Sequence, residues 1–477
     1  MRPLPVLAVL TLAVLTPRAP VSAQTNPRRG EYERDPAIEA LVDAAEVVAP
    51  EFSADALLRL STSPRVDQGW RREIVDDAFF RAYGAQEQYR RSTPQPLSPD
   101  TRQGANQLAY STALTRVSLQ VRAARLMTFV DPDRARELFE WIDLNPSPGV
   151  CEDPLVPDLE EYYSALGQIA RSSYPQDGLA ALRFFELYLW RAYLPSEMPA
   201  VARAIGHFPR GKEVAEQLEG LLRWLLDASS RDARGFSSAS GDIVSRVADL
   251  QAADRALGVQ SWYLMDSLRE YVGTRLKDPR CGDSTAESMV PPAFNSALRR
   301  IRAGDVKLLE PDVVPPVRQG NARSDPYWQT VDSRRLHDSA SRLWGPNKAP
   351  VPVRVRQTPE WRAQAEQFFS DLEPWSIARE ANDRDVFYQK AVLYTVLVDL
   401  VPRSPLRTRA IRSYIEFLRH SEGDRDRRTI WFVFLTRLLE ASHESDRNEI
   451  LNALEETGHP VLWLYSRMER TLPQSKP

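Results

Sequence analysis

Apolar side chains return every three to four positions along most of the chain after residue 35, and that spacing limits what it can become. A period near 3.6 lines such residues along one side of an α-helix, which is stable only when it lies against another element. Val214, Leu218, Leu221, Leu222, Leu225 and Leu226 give the cleanest stripe. Leu114, Val117, Val121 and Ala124 give a second, and Trp70, Ile74, Ala78 and Phe79 a third. No segment alternates apolar and polar residues in the period of two that a half-buried strand requires. The expected fold is all-α, built from antiparallel helix pairs in a solenoid-like or multi-helical array.

Local signals place the helices. The spacing predicts a helix over 36–49 ended by Pro50, then another with Ser53 as its cap. Val130-Asp131-Pro132 turns the chain between two helices, with Asp131 as N-cap and Pro132 at the first helical position, where its missing N–H costs nothing. Ala135, Leu138, Phe139 and Ile142 line the second helix, and Asn145-Pro146 stops it. A helix over 159–171, a turn over 174–178 and a helix over 179–192 repeat the hairpin. Residues 235–241 read as a Ser-rich loop, with helices resuming at 242–257 and 261–277.

The hairpin at 111–146 resembles a tetratricopeptide unit in its small Ala123, in Ala135 and Phe139, and in the closing Pro146. Ala181 and Phe185 hold the same relative places in the next hairpin, and Ala410 with Phe417 is a poorer third match. The first-helix Trp and Gly of that family are absent, and the step from Ala135 to Ala181 exceeds its period of about 34 residues. The resemblance implies stacked helix pairs and carries over no binding residue.

The chain divides on this reading into a leader (1–23), a polar, disordered stretch (24–34), a helical-repeat-like domain (35–277), a Pro-rich connection (278–357) and a C-terminal helical domain (358–477). In the connection, short helices over 293–302 and 327–344 sit between proline clusters that remove sheet donors. Residues 387–401 are apolar on nearly every side and predict a central, fully buried helix.

Arg2, the apolar stretch 4–15, Pro17 and the small-residue pattern Val21-Ser22-Ala23 have the form of an export signal, with cleavage expected between Ala23 and Gln24. The apolar stretch is well short of the ~20 residues a bilayer needs. No later segment is apolar enough to span, and even 391–401 carries Asp399. A secreted or periplasmic location follows. There the two cysteines, Cys151 and Cys281, meet oxidising conditions, and both sit in Pro- and Asp-containing loops. A Cys151–Cys281 disulfide is expected; closing so long a loop stabilises by about 4–5 kcal/mol on chain entropy.

The formal charge is -3, with no concentrated basic tract, which excludes the electrostatics of nucleic-acid binding. The basic residues are almost all Arg, a residue suited to pairing carboxylates in a fork. Candidate chemical motifs fail one by one. Residues 206–213 imitate a phosphate-binding loop, but Pro209 removes a donor and Glu213 stands where a hydroxyl is needed. His207, His337, His420, His443 and His459 include no pair at the i, i+4 spacing of a helical metal site, and His443-Glu444 is followed by Arg447 where a second His would stand. Asp76-Asp77, Glu160-Glu161 and Glu455-Glu456 are sequence neighbours, which point apart on a helix, whereas glycosidase chemistry needs two acids facing each other. Glu160-Glu161 beside Tyr162-Tyr163 is the first pair to test, since aromatics next to acids can make a sugar site.

No catalytic, cofactor-binding or metal-ligating residue is assigned. The expected function is a non-catalytic scaffold that binds an envelope or secreted protein or peptide, since stacked helix pairs generate extended binding surfaces. The alternative is an exported all-α hydrolase acting on polysaccharide or peptidoglycan.

Overall fold

The computed structural model describes residues 34–85, 90–91, 108–144, 155–156, 159–192, 197–209, 211–229, 237–259, 263–277, 284–301, 331–344, 351–376, 383–423, 425–441 and 446–472. The leader with its Ala23–Gln24 junction, the stretch 24–33, both cysteines, His443 and residues 302–330 lie outside them.

The chain opens with α1 (Pro36–Ala45), α2 (Pro50–Ser61) and α3 (Gln68–Arg81), and a 3-10 turn follows at Ala82–Gly84. Next come α4 (Arg116–Met127), α5 (Pro132–Glu140), α6 (Glu160–Ser173), α7 (Gly178–Leu189) and α8 (Met198–His207). Then follow α9 (Lys212–Ser229), α10 (Ser237–Ala256), α11 (Tyr263–Lys277) and α12 (Ser284–Ile301). After α13 (Val331–Arg342) and the single turn α14 (Val353–Arg356) come α15 (Pro359–Leu372), α16 (Asp383–Leu400), α17 (Pro405–Arg419), α18 (Arg425–Ala441), α19 (Arg447–Glu456) and α20 (Pro460–Thr471). The fold is all-α. The sole sheet pairing among the described residues is a two-residue antiparallel contact, Arg90 opposite Val156 and Arg91 opposite Leu155.

Starts are set by local chemistry. Asp131 accepts from the Arg134 N–H at 3.0 Å with Pro132 in the first turn, and Asp177 accepts from the Ala180 N–H at 2.9 Å. Thr358 and Ser404 cap α15 and α17 in the same way, each followed by a proline. The last carbonyls before α16 are answered from outside their helix. Lys390 donates to Glu373 O at 2.9 Å and Trp375 O at 2.8 Å, and burial pulls its ammonium pKa below the usual value.

Two layers organise the first half. The even-numbered helices pack in succession, α2 on α4, α4 on α6, α6 on α8, α8 on α10 and α10 on α12. The odd-numbered helices α3, α5, α7, α9 and α11 lie alongside, each packed on at least one even-numbered neighbour. The even row continues at its other end into the C-terminal helices, because α20 packs on α1 and α2, α18 on α20, and α16 on α18. The first and last helices of the described chain are therefore adjacent. At that seam Phe52 meets Trp431 and Phe432, with ring centroids 5.8 and 5.3 Å apart, and Phe432 meets Tyr465 at 4.9 Å. All four rings are buried, each contributing on the order of 1.5–3 kcal/mol of apolar transfer energy.

Several local expectations need correction. Ser53 is not a cap: Ala49 starts α2, Pro50 opens it rather than merely ending α1, and Ser53 is buried inside. Proline at the first helical position and proline as a stop look alike in sequence. The Ser-rich tract from Ser237 is not loop but the start of α10, since serine carries only a small helical penalty that tertiary packing overrides. Helix α12 starts nine residues before the expected 293 and runs through Pro291 and Pro292, which sacrifice backbone N–H donors without ending it. Helix α16 contacts α13, α15, α17 and α18, as a central helix should, but it is not buried all round: Val392, Thr395 and Val396 are half-buried and Asp399 is exposed.

Candidate functional site

The Glu160-Glu161 pair splits as helical geometry requires, successive side chains being about 100° apart. Glu161 is 66% exposed and pairs with Arg125 on α4 at 2.8 Å. Glu160 turns the other way, into a cleft of about 290 Å³ between α6 and α8. Its carboxylate pairs with Arg203 on α8 and lies 3.6 Å from Arg246 on α10. Ser164, Gly167, Ala200 and Ala204 line the cleft wall, and Arg171 and His207 close its far end, where Arg171 donates to the His207 carbonyl at 3.3 Å.

Tyr163 also borders the cleft, but its hydroxyl is committed to Glu197 at 3.1 Å. Burial, and then the nearby Glu197 charge, push that phenol well above the usual tyrosine range, so it stays a neutral donor. Its neighbour Tyr162 stacks on Phe139 with centroids 4.7 Å apart and fills core. Glu160 is thus the one carboxylate among the lining residues, and it is held by guanidinium groups. Two acids facing each other across a gap are not what this cleft presents.

These contacts belong to a longer series. Asp55 on α2 takes Arg122 of α4 at 2.8 Å; Arg125 of α4 takes Glu161 of α6; Glu160 of α6 takes Arg203 of α8 and Arg246 of α10. Arginine–carboxylate pairs therefore stitch the even row helix to helix, which gives the Arg-rich composition a structural use.

The odd-numbered layer carries a different feature. Each of its helices, or the residue just past its end, leaves an aromatic side chain substantially exposed: Phe80 on α3, Trp141 after α5, Trp190 after α7, Trp224 on α9 and Tyr263 on α11. Trp190 and Trp224 are 49% and 46% exposed although their rings touch, with centroids 4.3 Å apart. Phe80 lies 5.6 Å from Trp141, and Arg134 sits over the Trp141 ring at 5.3 Å. Arg223 sits over Tyr263 at 5.0 Å. Rings left half in water on helix after helix, interleaved with guanidinium groups, have the composition of contact surfaces rather than of a solvated face.

Sequence reading draws no distinction between Phe184, Phe185 and Tyr188 of α7, which fill core, and the exposed Trp190 just past its end. It missed Trp224, whose signal was present: the residue stands off the stripe formed by Leu218, Leu221, Leu222 and Leu225.

The remaining motifs resolve into structure. The motif at 206–213 begins at the end of α8 and finishes in the first turn of α9, with a helix rather than a strand before it. His420 contacts Glu416 at 2.7 Å and His459 contacts Glu422 at 3.1 Å, and each carboxylate also takes an arginine, Arg419 and Arg428. Among the described residues no three His, Cys, Asp or Glu side chains gather as metal ligands, and no helix is long and apolar enough to cross a membrane. Comparison of the chain with protein-family models, with curated proteins and with solved structures finds no match.

Proposed function

We propose that the chain is an exported, non-catalytic helical scaffold that binds a protein or peptide partner of the envelope or extracellular space. The observation that carries this reading is the aromatic series on α3, α5, α7, α9 and α11. Large half-exposed rings cost solvation free energy in an isolated monomer, and Trp, Tyr and Arg are the side chains that dominate protein–protein binding energy when a partner covers them. Stacked, solenoid-like pairs of the tetratricopeptide kind would present such a series along one extended face. Export rests on the leader signal ending at Ala23, and a Cys151–Cys281 disulfide would accompany it.

The alternative, an all-α hydrolase acting on polysaccharide or peptidoglycan, has weaker support. Its best acid, Glu160, lies in a cleft without a facing carboxylate among the lining residues.

A photo-crosslinking residue placed at Trp141 or at Trp224 in the exported protein tests the binding reading. One discrete adduct common to both positions, and absent when the same residue replaces Glu213, is expected. Adducts that are absent from both, or equally abundant from Glu213, would refute it.

A further inference from the structure

The cleft between α6 and α8 is a groove with positive charge at both ends. Glu160, Ser164, Gly167 and Arg171 recur every three to four positions and so share one side of α6, as Ala200, Arg203, Ala204 and His207 do on α8. At the first end Arg203 and Arg246 share the carboxylate of Glu160, and 43% of the Arg203 side chain stays exposed. At the other end Arg171 donates to the His207 carbonyl, a neutral oxygen, and makes no ion pair among the described residues. Three guanidinium groups thus stand against the one carboxylate that lines the cleft.

The separation of the two ends decides what can bridge them. Residues 160 and 171 are three turns apart on α6, about 16 Å along the axis, so a small anion reaches one end only. An extended chain advances about 3.3 Å per residue and turns alternate side chains to one face. Two acidic side chains four residues apart therefore face the same way, about 13 Å from each other, and long arginine side chains make up the remainder. Between the ends the walls are low: Gly167, Ala200 and Ala204 leave about 290 Å³, room for small side chains but not for large ones.

We infer that this groove docks an extended acidic segment of a partner protein, with two carboxylates four residues apart. Arg203 takes one carboxylate and Arg171 the other, while the side chain midway between them is small and lies over Gly167 and Ala204. Glu160 holds Arg203 and Arg246 in place. The charge balance carries the choice of partner, since guanidinium groups in excess of carboxylates are complementary to an anionic segment.

The test is fluorescence polarisation of the purified full chain at low salt with a dye-labelled, end-blocked peptide. Its glutamates stand at the first and fifth positions, with serine, alanine and serine between them. Saturable binding is expected, at least about fivefold tighter than that of the isomer with adjacent glutamates, which cannot engage both ends at once. Arg171→Gln and Arg203→Gln should each weaken the spaced peptide about tenfold, as for loss of a charge-assisted hydrogen bond. Arg191→Gln, outside the cleft, should leave binding unchanged. Circular dichroism of each variant establishes that it is folded. No saturable binding, equal binding of the two isomers, or undiminished binding by folded Arg171→Gln or Arg203→Gln protein would overturn the inference. The groove lies between even-numbered helices, and the reading does not rest on the aromatic series, so its failure leaves the proposed binding surface standing.

Discussion

Tyr465 donates its hydroxyl to Asp55 at 2.8 Å across 410 residues of sequence. The same carboxylate takes Arg59 of its own helix and Arg122 of α4, both at 2.8 Å. Asp55 is 1% exposed, so this contact between α2 and the last helix, α20, is a buried charge with three donors around it. Burial alone would raise its pKa; Arg59, then Arg122, and hydrogen bonds from Arg122 and Tyr465 outweigh it and hold the carboxyl below the usual value of 3.8.

A carboxylate with a lowered folded-state pKa stabilises the fold above its unfolded-state value and ceases to do so as pH falls through the folded one. Asp55→Asn should therefore lower unfolding stability at pH 6 by about 3 kcal/mol, the low end for breaking a buried pair because both arginines are a third or more exposed. The gap between wild type and variant should begin to close once pH drops below about 3.8. Urea denaturation at stepped pH measures it. A gap that stays constant down to acid pH would mean the carboxylate is not held by these partners.

Gln120 is fully buried in α4, and neither its Nε2 nor its Oε1 has a hydrogen-bond partner among the described residues. A buried amide left in this way costs on the order of 1–3 kcal/mol, and methionine has nearly its shape without its polarity. Gln120→Met should raise stability by about 1 kcal/mol in chemical denaturation. A loss of similar size would show that the amide does have partners.

What the sequence made legible follows the range of the interaction. The α5 start at Asp131-Pro132 and the stripe of α9 rest on residues within a turn or two of each other, and both stand as expected. So does the divergence of Glu160 from Glu161, which needs only helical geometry. Ser53 as a cap and 293 as a helix start do not hold because local propensity is weak beside packing: Ser53 lies inside α2 and Pro291 inside α12, each stabilised by neighbours distant in sequence. The Asp55–Tyr465 contact left no trace at all. Nothing within a short window relates α2 to α20, and an aspartate between Ala54 and Ala56 reads simply as part of a polar face.

Export makes its own prediction. Mass spectrometry of the protein recovered from outside the cytoplasm should find a chain beginning at Gln24. Thiol counting on the denatured, unreduced material should find none, since Cys151 and Cys281 are the only two and are proposed to pair. Met1 intact would remove the export proposal, and two free thiols would remove the disulfide.

The packing of α20 on α2 is tested most directly by a double-mutant cycle on Asp55→Asn and Tyr465→Phe, read as unfolding free energy at neutral pH. Contact between the two side chains predicts a coupling energy of at least about 1 kcal/mol, the single substitutions summing to more than the double. Effects that add to within about 0.3–0.5 kcal/mol would place Tyr465 away from Asp55 and contradict the closure of α20 onto α2.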